Sequence, residues 1–367
     1  MNKTAKKRTV ATRMAALLTA AFLLTGCGAA AKSNPLSPTD VSSEASESDA
    51  TLRPANMNDY VRLHSEIKPV FDGTYRSQLI EAEQAIYDGL VQHIIVERRT
   101  DEVLIDYSSV KQDVDWWFLK QEIMMTAFWA FYEDYPEAGG MMYFTSIKIM
   151  KDDKIDAIKM NFRELYKNAF EELNTVMDNV DKAVEKIRET RASESRYDTA
   201  KAIHNYICAN AAYDHEACNG GNIEYQDNAG RAIPLFGGGC RGSRFVCSGY
   251  AYAFKLLCAR LGVPCYRICG DTPLGWHAWN FVQMDDGKWY GVDVTWDDIG
   301  NASQIIYDYF LSGKNTVTHN VKFSEDHIHD VGPYYTYVTR ANDTSIPDDY
   351  NPCVYPEQTD ERYEPAA

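Results

Sequence analysis

The segment GWHAWNFVQMDDGKWYGVDVTWDD, from Gly275 to Asp298, limits most strongly how this chain can fold. Apolar and polar residues alternate on both sides of Asp285-Asp286-Gly287, the pattern of two strands joined by a tight turn. Strand side chains alternate faces, so turn length decides which residues share a face. A two-residue turn pairs Asp285 with Lys288 and sends His277 and Asp293 to opposite faces. A three-residue turn pairs Met284 with Lys288, sets Thr295 across from His277 and leaves Asp293 one diagonal step away on the same face. That turn wants its last residue in the left-handed region, which Gly287 reaches without strain. Asp293, among Val292, Val294 and Trp296, is a buried acid that needs a donor, and His277 is the obvious one. The three-residue turn with a bulge at Gly287 is therefore expected. Taken alone, a histidine between Trp276 and Trp279 would be a packed, hydrogen-bonded core residue.

Upstream, VCSGYAYAFKLLCARLG sets Cys247, Ala251, Phe254, Cys258 and Leu261 on one helical stripe, with Gly262 where a C-terminal cap belongs. Cys247 thus opens a helix, where unpaired N–H groups and the helix dipole stabilise a thiolate, most strongly beside an imidazolium. Without further context it would count as a buried structural thiol. The helix is reached through a long glycine-rich loop, HEACNGGNIEYQDNAGRAIPLFGGGCRGSRF, and loops of that length are often functional. Cys240 in this loop is a rival nucleophile, but no helix follows it, so it reads as a disulfide or redox cysteine.

The motifs V-C-S-G-Y, H-A-W-N and D-V-T-W-D-D, in that order, resemble the transglutaminase-like superfamily of papain-like thiol enzymes, over about Tyr197 to Phe323. The resemblance implies an α+β fold in which a helix carrying the cysteine packs on an antiparallel sheet carrying the histidine and aspartate. It implies Cys247 as nucleophile, His277 as general base and acid, and Asp293 as the group that holds His277 in its working tautomer. The N–H of Cys247 would meet the oxyanion together with one further donor, for which Tyr213 is the candidate beside its plainer role in packing. Trp276 and Trp279 would flank the imidazole and floor an acyl-binding slot, with Trp296 either joining them or serving the core. No metal or cofactor is called for, and Cys265-x-x-x-Cys269 has no matching histidine pair.

The chain's start resembles a bacterial lipoprotein signal. Lys3, Lys6, Lys7 and Arg8 precede an apolar run from Met14 to Leu24, too short to span a bilayer, which closes on Leu24-Thr25-Gly26-Cys27. Residues 1–26 read as a leader removed before Cys27, which would carry the lipid, and residues 27–54 as a flexible tether rich in Ala, Ser, Pro and acids. An exported protein, lipid-anchored to the bacterial cell membrane and facing outward, is expected. The amphipathic stretches RSQLIEAEQAIYDGLVQHI and FRELYKNAFEELNTVMDNVDKAVEKIRE make residues 55–190 a mostly helical region, with KDDKIDAIK as a solvated face or turn. A catalytic domain over 191–340 and a polar C-terminal tail over 341–367 complete the expected organisation.

The full chain carries a net charge of −16, and loss of the five basic residues in 1–26 brings it near −21. Such a surface repels phosphate backbones, so no nucleic-acid partner is expected. A protein or peptide substrate, possible in the cell envelope, fits better. The leading reading is a surface-anchored thiol enzyme that transfers an acyl group from a peptide or glutamine carbonyl to water or an amine. Two alternatives are a cell-wall cysteine peptidase of another papain-like family, against which D-V-T-W-D-D argues, and an inactive binding or adhesion module on the same fold.

Overall fold

The computed structural model describes residues 57–99, 102–111, 119–138, 143–163, 169–219, 233–236, 243–300, 304–329, 332 and 352–365. The expected leader and tether with Cys27, and the rival thiol Cys240, lie outside the described residues. The chain runs through α1 (Met57–Ser65), α2 (Glu81–Leu90), β1 (Glu102–Asp106), α3 (Met124–Asp134), β2 (Tyr143–Lys151), β3 (Lys154–Arg163) and α4 (Ala169–Thr190). Next come α5 (Arg196–Asn210), β4 (Ala212–Tyr213), α6 (His215–Cys218), β5 (Arg244–Phe245), α7 (Cys247–Arg260), β6 (Cys265–Thr272), β7 (Gly275–Gln283) and β8 (Trp289–Val292). It closes with α8 (Val294–Asp297), β9 (Val317–Thr318), β10 (Val321–Lys322), α9 (Phe323–Asp326) and β11 (Ile328–His329).

The N-terminal region is less helical than its sequence suggests, because β1, β3 and β2 form an antiparallel sheet within it. Asp152 and Asp153 both take positive φ, 48° and 60°, which gives a two-residue turn whose twist matches that of the flanking strands. Ile158, Met160 and Phe162 are buried at alternate positions of β3, as are Val103 and Ile105 of β1. This period-two burial makes Phe162 and Arg163 strand residues, where the sequence suggested the start of a helix.

The central sheet has the order β11-β6-β7-β8. Tyr266, Ile268, Trp279 and Phe281 on one face share a core with Ile86, Phe131 and Met160 of the N-terminal region. Val282, Met284, Tyr290 and Val292 on the other side pack with Phe254 and Leu257 of α7. The two regions are also tied by buried charges. Lys255 Nζ of α7 meets Asp134 Oδ1 of α3 at 2.8 Å, and Arg267 Nε of β6 meets Glu133 Oε2 at 3.1 Å. Breaking one such pair would leave an uncompensated buried charge, a cost of about 3–5 kcal/mol.

The C-terminal stretch corrects the expectation of a polar tail, since residues 352–365 are part of the fold. Cys353 and Tyr355 are buried in the core, and Thr359 N–H donates to Trp289 O at 2.9 Å. Bridges from Gln358 to Trp289 and from Ser312 to Gly291 cover the outer edge of β8. An edge strand offers unpaired backbone groups; Thr359 satisfies Trp289 O, and Ser312, from earlier in the chain, satisfies Gly291.

Candidate active site

The turn joining β7 to β8 has three residues: Gly287 N–H donates to Met284 O, and Met284 N–H to Lys288 O, both at 3.0 Å. Gly287 has φ 78°, and Gln283 pairs with Trp289 and Asn280 with Val292, which is the register expected from the sequence. One element of that expectation needs correcting. Asp293 is not a strand residue opposite the His277 region, because β8 ends at Val292 and Thr295 has no ladder partner in β7. Asp293 instead caps α8, its Oδ1 accepting from Thr295 N–H at 2.9 Å and Trp296 N–H at 3.2 Å. An aspartate at this position satisfies two otherwise unpaired helix donors, which ends the strand.

Capping turns the other carboxylate oxygen toward the sheet. His277 Nε2 lies 2.7 Å from Asp293 Oδ2, and the Cys247 thiol is near enough to the same ring to strengthen its proton binding. With Nε2 held by Asp293, Nδ1 is the nitrogen left available to a thiol. Burial disfavours the charged ring, but the negative charge of Asp293 and the thiol outweigh it, and the His277 pKa is pushed up to about 10. Burial alone would raise Asp293, yet His277 and His327 hold it well below the usual carboxylate range.

Cys247 is the first residue of α7 and follows an extended Val246 (φ −94°, ψ −179°) with no side-chain cap. The first-turn N–H groups are therefore not taken by a capping side chain, which leaves them oriented as donors toward developing negative charge. The thiol packs with Ala251, Cys269, Ala278 and the partly exposed Trp276. The rings of Trp279 and Trp296 lie 6.1 Å and 5.4 Å from that of His277. Trp279 is fully buried and walls the imidazole from water, whereas Trp276 and Trp296 keep some exposure at the site's rim. Asn280, on the opposite face of β7 from His277, donates through Nδ2 to Ala251 O at 2.9 Å and fixes α7 on the sheet.

Tyr213 is placed differently from the oxyanion role suggested for it. Its hydroxyl donates to Cys218 Sγ at 3.4 Å, and its ring stacks on Tyr250 within the neighbouring apolar cluster. The D-V-T-W-D-D acids each have a partner: Asp297 Oδ2 faces His204 Nε2 at 3.1 Å, and Asp298 Oδ2 accepts from the Tyr250 hydroxyl at 2.5 Å. Cys208, 3.9 Å from His204 Nδ1, completes a second set of the same residue types, but burial pushes its thiol up and away from the reactive form.

Sequence reasoning missed His327. Its Nε2 lies 3.1 Å from Asp293 Oδ2 and its Nδ1 2.6 Å from Asp326 Oδ1. The signal available was a histidine amid acids in SEDHIHD, downstream of the three motifs. Nitrogen and oxygen atoms of His277, Asp293 and His327 lie within 4.8 Å of one another, and hydrogen bonding to the shared carboxylate accounts for that clustering.

Residues 182–294 match the family model of the transglutaminase-like superfamily. Kyphoscoliosis peptidase of Mus musculus is 29% identical over 157 residues, covering 38% of this chain and 22% of that protein. Its Homo sapiens counterpart is 30% identical over 149 residues, covering 35% and 20% respectively. The chain thus spans about a fifth of the length of these curated relatives. A solved TGase structure aligns with 69% of this chain and 61% of its own at 18% identity and a TM-score of 0.30. The chain carries a transglutaminase-like α+β core behind a helix-rich N-terminal region.

Proposed function

We propose that this protein is a thiol acyl-transfer enzyme in which Cys247 attacks a peptide or glutamine carbonyl. The observation that carries the reading is the His277 Nε2–Asp293 Oδ2 contact of 2.7 Å on an imidazole whose proton binding is strengthened by Cys247, the first residue of a helix. In this scheme His277 already holds the proton given up by the thiol, the thiolate adds to the carbonyl, and first-turn N–H groups of α7 meet the oxyanion. His277 then gives its proton to the departing amine, leaving an acyl group on Cys247. Water or a second amine, deprotonated by His277, releases the acid or a new amide. Asp293 keeps Nε2 of His277 occupied so that Nδ1 faces the thiol throughout. The name of the curated relatives, a peptidase, favours water as the acceptor. The leader-like start and Cys27 support attachment to a membrane through lipid, with the enzyme outside the cell.

The test is to incubate the protein with a glutamine-containing protein and a tagged amine and to identify products by mass spectrometry. Cleaved peptides support a peptidase, tagged glutamines a transglutaminase. Neither product, with wild type and Cys247→Ala alike, would leave the binding-module reading in its place.

A further inference from the structure

The site contains a second imidazole that the acyl-transfer scheme does not use. His327 lies between two carboxylates, with Nε2 on Asp293 and Nδ1 on Asp326. Ionised carboxylates only accept hydrogen bonds, so both ring nitrogens carry hydrogen and the ring is an imidazolium. Its side chain is sealed from solvent, stacked on Phe323 with ring centres 4.2 Å apart and edge-on to Trp296 at 4.6 Å. Burial opposes the charge, but hydrogen bonds to Asp293 and Asp326 outweigh it and strengthen proton binding.

The fold fixes this ring in place. His327 is the single residue between α9 and β11, and β11 docks on β6 with His329 opposite Gly270. A Cβ at Gly270 would lie 2.2 Å from Ile328 O, so the absence of a side chain there is what admits the strand.

We propose that His327 is a positioning residue of the Cys247–His277–Asp293 site: a fixed buried cation that shares Asp293 with His277 and limits how tightly His277 holds its proton. The proposal rests on the catalytic reading above. Asp293 has its Oδ1 filled by two backbone donors and its Oδ2 divided between two imidazoles. An undivided carboxylate would bind the His277 proton more firmly, and a general acid must release its proton to the leaving group. The two imidazole centres are 6.0 Å apart, close enough for like charges to repel through protein. The other titratable groups packed against this pair are Cys247 beside His277, Asp326 and Tyr309 beside His327, and Asp297 one turn along α8, held by His204.

Nitrogen-15 histidine spectra of the full chain, recorded from pH 5 upward, test the idea. In the wild type both His327 nitrogens should remain protonated through pH 8, and a neutral ring there would overturn the proposal. His327→Gln should raise the His277 titration midpoint by about one pH unit. His327→Asn, which also removes the cation, should move it in the same direction if the first variant folds poorly. An unmoved His277 midpoint in these variants sinks the proposal while leaving the catalytic reading intact. If instead Cys247→Ala fails to shift the His277 midpoint, the thiol and imidazole are not coupled and the catalytic reading itself fails.

Discussion

His277 and Asp293 are 16 residues apart in the chain, yet Nε2 of one lies 2.7 Å from Oδ2 of the other, with both side chains buried. A three-residue turn brings them to the same side of the hairpin, and the α8 cap closes the remaining distance. Asp293→Asn keeps a competent cap but removes the charge opposite His277. Turnover should fall on the order of 10²–10⁴-fold with the melting temperature lowered only modestly, and Cys247→Ala should abolish turnover. Initial rates and thermal melts of the two variants check this, and wild-type turnover by Cys247→Ala would rule out the mechanism.

The pH dependence of stability follows from the same pair. His277 binds its proton more tightly in the fold, with a pKa of about 10 against an ordinary 6.5. Its contribution is therefore full below about 6.5 and is lost as pH rises through about 10. Asp293 is depressed from its ordinary 3.8, so its contribution is present above that value and lost as pH falls through the lower folded pKa. The difference in melting temperature between wild type and Asp293→Asn should be greatest between about pH 4 and 6.5 and shrink on both sides. A difference independent of pH would show that the charge pair adds nothing to stability.

Asp134 and Lys255 join the N-terminal region to the helix that carries Cys247, and both are buried. Asp134→Ala leaves the ammonium alone and also strips an acceptor from Tyr75 N–H and the Tyr87 hydroxyl. A loss of about 3–5 kcal/mol in urea unfolding is expected, part of it recovered when Lys255→Met is added. Strict additivity of the two changes would argue against their coupling.

Attachment to a membrane is testable independently of chemistry. Two or three fatty chains on one cysteine should hold the protein firmly, so Cys27→Ala should move it from the membrane fraction to the soluble one. Partitioning that does not respond to the substitution would remove the lipid anchor from the account.

The hairpin register as far as Val292 and the helix start at Cys247 were legible in the sequence, whereas KDDKIDAIK, expected as a solvated face or turn, turns only at Asp152-Asp153 and runs on as β3. Each depends on neighbours a few residues away: a glycine free to take φ 78°, side chains alternating across a strand, an apolar stripe of helical period. Tertiary structure decided where Asp293 leaves the strand, where Tyr213 sends its hydroxyl, that His327 shares Asp293, and that Gln358 and Ser312 together cover the edge of β8. It also turned part of the expected helical region into a sheet, because Ile158, Met160 and Phe162 find a core contributed by distant elements. Local patterns record what a segment prefers; which buried donor meets which acceptor is set only when chain separated by tens of residues packs together and each polar group must find a partner.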